Sequence, residues 1–224
     1  MRVCPRIVLG NVPVEDRARR IRRLGPRQVL VGHLVCDERV ARALDERGAK
    51  LVLMTRDPRD VVVSLAKFVI KEHVGHRMYE YFTSELRDDD ERIMACIRGV
   101  GGEHARDGRA QPDIGALYRS YFEWTRVRET HVCRFEDLVG ARGGGSDEAQ
   151  FEALEHLFAF LGLGLDRRAV EAVAQATFSP QSLTFRKGEI GDWTNHFTPA
   201  HRAAFREVAP GLLLQLGYEA NDAW

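Results

Sequence analysis

Two stretches of the chain carry residues whose types and spacing could hold an anion. In LVLMTRDPRDVVVSLAKF, residues 51 to 68, an apolar run gives way to Arg-Asp-Pro-Arg-Asp and then resumes with a helical rhythm. Asp57 suits an N-cap, Pro58 the first helical position, and Asp60 the acidic place three residues after the cap, so a helix starts here. Arg56 is thereby left at the carboxyl end of a strand. In open parallel sheets that edge is where ligands bind, and a helix N-terminus offers free N–H groups and partial positive charge. Ser64, two turns into the same helix, adds a hydroxyl. The chemistry implied is recognition of a phosphate-like anion. Plainer roles stand beside it: Arg56 could pair with Asp57 or Asp60, and Ser64 could bond to the carbonyl four residues earlier.

The second stretch, TFSPQSLTFRKGEIGDWTNHFTPAHRAAF (177 to 205), has little helical periodicity. It sets Arg186, Lys187 and Gly188 side by side, and adjacent cations followed by a glycine that lets the backbone come close suit a polyanionic ligand. Trp193 and Phe197 read as packing for this loop, and Thr198-Pro199 as a helix cap. His33, at the end of an apolar strand, is open to a core role or a functional one. Glu72, His73 and His76 crowd a helix end without a further ligand set at zinc spacing, and the acidic run at 88 to 91 reads as a solvated face, so no metal is expected.

The elements needed to position these residues are legible as apolar runs alternating with amphipathic segments. Residues 27–33, 50–56 and 131–138 read as buried parallel strands. Between the first two, Val40, Ala43 and Leu44 share one helical face and Gly48 can end the helix, which makes a βαβ unit. Further helices are expected at 58–73, 113–128, 148–162, 166–176 and 199–216. The sum is an α/β sandwich, expected as a single domain over 1–224. Residues 84–111 read as a surface excursion or lid, and 140–148 as a flexible connection.

Composition agrees with a globular domain: 224 residues, 44% hydrophobic, enough to bury a core. Thirty-three basic residues balance thirty-three acidic ones, which gives no electrostatic case for nucleic acid as a partner. Cys4, Cys36, Cys96 and Cys133 form no C-x-x-C pair, so reduced thiols are expected. No apolar run reaches the roughly 18 residues of a membrane span, and the first residues lack a signal-peptide core; a soluble, cytoplasmic protein is expected.

Taken in order, four segments resemble the sulfotransferases that use 3′-phosphoadenosine 5′-phosphosulfate (PAPS). TRDPRDVVVS resembles the family's 3′-phosphate signature and FRKGEIGDWTNHFT its C-terminal signature. CRFEDL (133 to 138) resembles a strand that commonly reads Tyr-Glu-Asp-Leu, and VLVGHLVCDERV (29 to 40) resembles the strand end that presents a catalytic histidine. The resemblance implies a three-layer α/β sandwich with a central parallel sheet, the P-loop-NTPase-like sulfotransferase fold. It implies that Arg56, Ser64, Arg186, Lys187 and Gly188 grip the 3′-phosphate, that Phe135 takes the tyrosine's place in the nucleotide site, and that Phe178 packs on the adenine. His33 becomes the general base for the acceptor hydroxyl or amine, a role worth typically about 10² to 10⁴ in rate. PAPS is the implied sulfuryl donor, without a metal, and a small molecule or glycan the implied acceptor.

The sequence also departs from the family. No glycine-rich loop of the Pro-Lys-Ser-Gly-Thr kind, which cradles the 5′-phosphosulfate, precedes His33, and the family's opening strand is not evident. Val31-Gly32 stands where a Lys-Thr pair is common, and Phe135 removes a phenolic hydroxyl. Three expectations follow: a gene start set too late, a basic N-terminal segment (eight arginines in the first thirty residues) that substitutes for the loop, or a degenerate relative that binds nucleotide or a partner without catalysis.

Overall fold

The computed structural model describes residues 6–9, 12–71, 75–181 and 186–224. In chain order its elements are β1 (Arg6–Leu9), α1 (Val14–Arg22), β2 (Val29–Gly32), α2 (Glu38–Glu46), β3 (Leu51–Thr55), α3 (Pro58–Lys71), α4 (Tyr79–Ser84) and α5 (Asp89–Arg98). There follow α6 (Ile114–Phe122), α7 (Trp124–Val127), β4 (Thr130–Arg134), α8 (Phe135–Leu138), α9 (Asp147–Leu161), α10 (Arg167–Thr177), α11 (Pro199–Val208) and α12 (Leu212–Gln215). β1 and β2 pair in parallel with Arg6 opposite Val29 and Leu9 opposite Gly32, and β3 pairs with β4. The class is α/β with parallel pairing, as expected. The strand at residues 6–9 lies in a segment where no strand was read.

The chain forms two compact units, one of residues 1–53 with 119–132 and one of 54–118 with 133–224. In the first, α1 and α2 pack together and bury Ala18, Ile21, Val40, Ala43 and Leu44 around Trp124. Trp124 brings the largest apolar surface, and its indole N–H donates to the Leu34 carbonyl at 2.7 Å, so burial leaves no polar orphan. Asp37 caps α2 by accepting the Arg39 N–H at 2.9 Å, and Gly48, at φ +56°, turns the chain after it. The strands are less covered than their apolar runs suggested. Side chains alternate across a sheet, so Leu30 joins this core while Val29 and Val31, on the other face, stay 50% and 39% exposed.

In the second unit α3 packs against α4 and α5, and α5 against α11. Residues 84–111 are therefore not a lid. Ile93, Cys96 and Ile97 of α5 are core residues, and the acidic run is this helix's start: the Asp88 carboxylate accepts the Glu91 N–H, and Asp89 pairs with Lys67 and Arg92. His201 locks α11 to α5, a role the sequence reading missed. Its Nδ1 accepts the Thr198 N–H at 3.1 Å in a capping box, and Nε2 lies 2.9 Å from the Asp90 carbonyl. The expected helix over 199–216 breaks at Pro210-Gly211, where Gly211 adopts φ +67°. The expected strand over 131–138 ends at Arg134, and Phe135–Leu138 closes a helical turn, the Val139 N–H returning to the Phe135 carbonyl at 2.9 Å.

Candidate functional site

The site is built on the start of α3. Asp57 caps it as expected, its carboxylate accepting the Arg59 N–H at 2.9 Å. Asp60 does not fold back onto that cap. It is fully buried and reaches a loop over 130 residues away, accepting the Gly191 N–H at 2.8 Å and the Trp193 N–H at 2.9 Å. Arg56 also reaches that loop, donating to Asp60 at 3.3 Å and to the Glu189 carbonyl at 2.5 Å. The main chain at the strand–helix junction is fixed from both sides. The Asp57 N–H donates to Glu136 of α8 at 2.8 Å, and the Tyr118 hydroxyl to the Arg56 carbonyl at 2.6 Å. Glu136 is in turn held by the Tyr218 hydroxyl at 3.0 Å; burial and the carboxylate's charge push the phenol's pKa up, so it stays a donor.

The loop brings two more cations. Arg186 and Lys187 donate to the two oxygens of Asp192 at 2.6 and 2.7 Å. Burial by itself would raise the Asp192 pKa, but these charged donors outweigh it and hold the carboxyl well below the usual range. His196 Nε2 sits 3.3 Å from the same carboxylate without hydrogen-bond geometry, and the residue is half-buried. Gly188 adopts φ +68°, the left-handed region that favours glycine. Its carbonyl would lie 2.4 Å from a Cβ on Gly143, and the Ile190 N–H bonds the Gly143 carbonyl at 3.1 Å. Residues 140–148, read from sequence as a flexible connection, thus form an ordered support. Gly140 and Gly144 take positive φ, and Asp147 accepts the Ala141 N–H at 2.9 Å.

Arg56, Phe135, Arg186, Lys187 and Gly188 are therefore gathered around one loop and one helix start. The Arg56 guanidinium stacks over the Phe135 ring at 4.3 Å, so the phenylalanine supplies a cation–π face. Ser64 lies half-buried on α3, and its hydroxyl makes no side-chain hydrogen bond among the described residues, so the bond back to the preceding turn is not formed. Phe178 follows α10 and stacks under Arg142 at 4.6 Å, beside a cavity of about 580 Å³ that includes Phe151, Gln150 and Arg167. His33 belongs to the first unit. It follows β2 directly and is exposed rather than a core residue; its ring tilts against Tyr121 at a centroid distance of 6.2 Å, and Arg17 donates to its carbonyl at 3.3 Å. Among the described residues no cluster of three metal-ligating side chains occurs; Glu72 and His73 lie outside them.

The arrangement suits an anion. Three cations face two buried carboxylates, and the Nε atoms of Arg56 and Arg186 are buried without a partner among the described residues. Sequence reasoning found the cations and offered Asp60 as a partner for Arg56, which the structure shows, but missed Asp192 and the reach of Asp60 to the Gly191 and Trp193 amides. The Gly-Asp-Trp following the cations was the available signal for Asp192.

No protein-family model matches the chain. Among curated proteins it is 28% identical to human (Homo sapiens) sulfotransferase 2B1 over 186 residues, covering 70% of this chain and 42% of that one. It is 25% identical to sulfotransferase 6B1 of Danio rerio, covering 82% and 58%, and 25% identical to 3-alpha-hydroxysteroid sulfotransferase of Cavia porcellus, covering 71% and 54%. The chain spans about half the length of the curated relatives it matches. In structure it superposes on mouse sulfotransferase SULT7A1 complexed with PAP with a TM-score of 0.59 at 16% identity, covering 85% of this chain and 67% of that one. Retinol dehydratase, in complex with androsterone and inactive cofactor PAP, gives a TM-score of 0.57 at 13% identity, covering 87% and 56%. The fold is the sulfotransferase fold. The sequence relatives and the fold together support the cytosolic-type sulfotransferase family.

Proposed function

We propose that this protein is a PAPS-dependent sulfotransferase, acting on a hydroxyl or amine of a small molecule or glycan, with residues 1–224 serving as one sulfotransferase-like domain. The observation that carries the reading is the convergence of Arg56, Arg186 and Lys187 on one loop at the start of α3, beside the left-handed Gly188. In this reading Arg56, Ser64, Arg186, Lys187 and the Gly188 main chain hold the 3′-phosphate, Phe135 backs Arg56, and Phe178 packs on the adenine. PAPS, when bound, supplies an activated sulfuryl group. The exposed imidazole of His33 accepts the proton of the acceptor hydroxyl as the acceptor oxygen becomes more nucleophilic. The fixed guanidinium groups bind and orient, and orientation is a large part of any group transfer of this kind. A cytoplasmic setting belongs to the same reading. Cys36, Cys96 and Cys133 are free thiols, and no helix among the described residues is long and apolar enough to cross a membrane.

Calorimetric titration with adenosine 3′,5′-bisphosphate tests the site, with Arg56→Ala as the control. The expected result is saturable binding by the parent, weakened at least about tenfold in the variant, as for loss of a charge-assisted hydrogen bond of roughly 1.5–3 kcal/mol. A folded parent that does not bind overturns the assignment. His33→Ala should abolish sulfate transfer while the bisphosphate affinity stays near the parent's; full turnover by that variant removes His33 from the chemistry. Binding without transfer to any of a panel of hydroxyl and amine acceptors would leave a nucleotide-binding protein that is not an enzyme.

A further inference from the structure

The nucleotide reading uses Arg56, Arg186 and Lys187, and leaves unused a cluster of Arg59, Trp193 and Trp224 in the same unit. Arg59 is 3% exposed, an unusual burial for a guanidinium. Its charge is met by a bidentate pairing with Asp57, Nη2 to Oδ2 at 2.7 Å and Nε to Oδ1 at 3.0 Å, and by Glu219. Its flat face lies 3.9 Å from the Trp193 ring and 4.7 Å from that of Trp224. Trp224 meets Trp193 edge-on at 5.8 Å and 87°, and Phe205 of α11 at 5.4 Å and 89°. Arg206 donates to the Trp224 backbone oxygen at 3.0 Å, and its guanidinium carbon lies 5.5 Å from the indole.

This cluster leads directly to the cations of the site. Trp193 follows Asp192 in the chain, and its own N–H is held by Asp60. Asp192 fixes Arg186 and Lys187, and Asp60 also carries Arg56. A shift of the Trp193 indole therefore moves the carboxylate that aims two cations and strains the one that aims the third. Arg202 also lies over the Trp193 ring, at 4.9 Å, while Trp224 meets that ring edge-on, and aromatic edge contacts of this kind have a defined geometry that a smaller side chain cannot reproduce.

We propose that Trp224 is a positioning residue for the 3′-phosphate site: by clamping Trp193 against Arg59 it holds the loop from Arg186 to Trp193 in its anion-binding arrangement. The inference rests on the nucleotide reading for its consequence and on the loop contacts for its mechanism, and two readouts separate them. Hydrogen exchange at the Gly191 and Trp193 amides, both bonded to Asp60, reports the clamp without nucleotide. Titration with adenosine 3′,5′-bisphosphate, at a temperature where circular dichroism shows both proteins fully folded, reports the site. Trp224→Ala should speed exchange at those two amides and weaken the bisphosphate between about two- and tenfold, and Trp224→Phe should recover most of both. Unchanged exchange in Trp224→Ala overturns the clamp whether or not nucleotide binds. Faster exchange with parent-like affinity overturns the role in the site. A parent that binds no bisphosphate defeats the nucleotide reading and its consequence, while the exchange data still decide the clamp. Should Trp224→Ala fail to fold, Trp224→Leu carries the same two measurements.

Discussion

Asp192 shows how one buried carboxylate can arrange two cations. Its side chain is fully buried between Arg186 and Lys187, and their hydrogen bonds hold its pKa below the ordinary value despite the burial. Because the folded pKa is depressed, the stabilisation is present above the unfolded value near about 4 and is lost as pH falls through the folded value. Asp192→Asn should cost about 3 kcal/mol near neutrality, since it leaves a paired cation cluster without its anion. Urea unfolding of the parent and the variant should then converge as pH is lowered below about 4. A gap between the two that stays constant across that range would show that the carboxylate's charge is not what the fold uses.

At the scale of elements, the 3-10 turn at Ala141–Gly143 is the support on which Gly188 rests. Gly143 is buried, and a Cβ there would meet the Gly188 carbonyl at 2.4 Å and a Val139 methyl at 2.1 Å, distances that force something to move. Overpacking of this order typically costs about 1–3 kcal/mol. Gly143→Ala should therefore lower the melting temperature and, on the proposed function, weaken the bisphosphate together, because the displaced backbone is that of the loop carrying Arg186, Lys187 and Gly188. Parent-like values of both would mean that the loop yields without consequence. The α9 helix is tied to the same turn, since its Asp147 accepts the Ala141 N–H at 2.9 Å.

The whole molecule is organised around two compact units, each with its own buried aromatic anchors. In the first, Trp124 is 1% exposed and touches residues from both α1 and α2. Trp124→Ala removes that core's largest side chain and its hydrogen bond to Leu34, and should destabilise by about 3–5 kcal/mol. Native-state hydrogen exchange checks this, with faster exchange expected at amides of α1, α2 and β2. Protection equal to the parent's in those elements would show that Trp124 is peripheral to the unit's stability.

Much of the framework was legible in the sequence because it is governed by neighbours in the chain. The Asp57-Pro58 start of α3, the Val40, Ala43, Leu44 face of α2 and the Thr198-Pro199 cap of α11 all follow from local hydrogen bonding and helical period. The cations Arg56, Arg186 and Lys187 were likewise visible as residue types beside a helix start and a glycine. The Arg56–Asp60 pair was offered by its spacing, but the partner of Arg186 and Lys187 was not visible. Asp60 looked like a local capping acid and proved to be a long-range acceptor; residues 140–148 looked slack and proved to carry Gly188; residues 84–111 looked like an excursion and proved to hold a core helix. Sequence alone determined where helices begin, which faces are apolar and which side chains could grip an anion, since those depend on spacings of a few residues. Only the tertiary structure decided which carboxylate arranges which cation, because a buried charge takes whatever partner the packing brings within about 3 Å, however far away it lies in the chain.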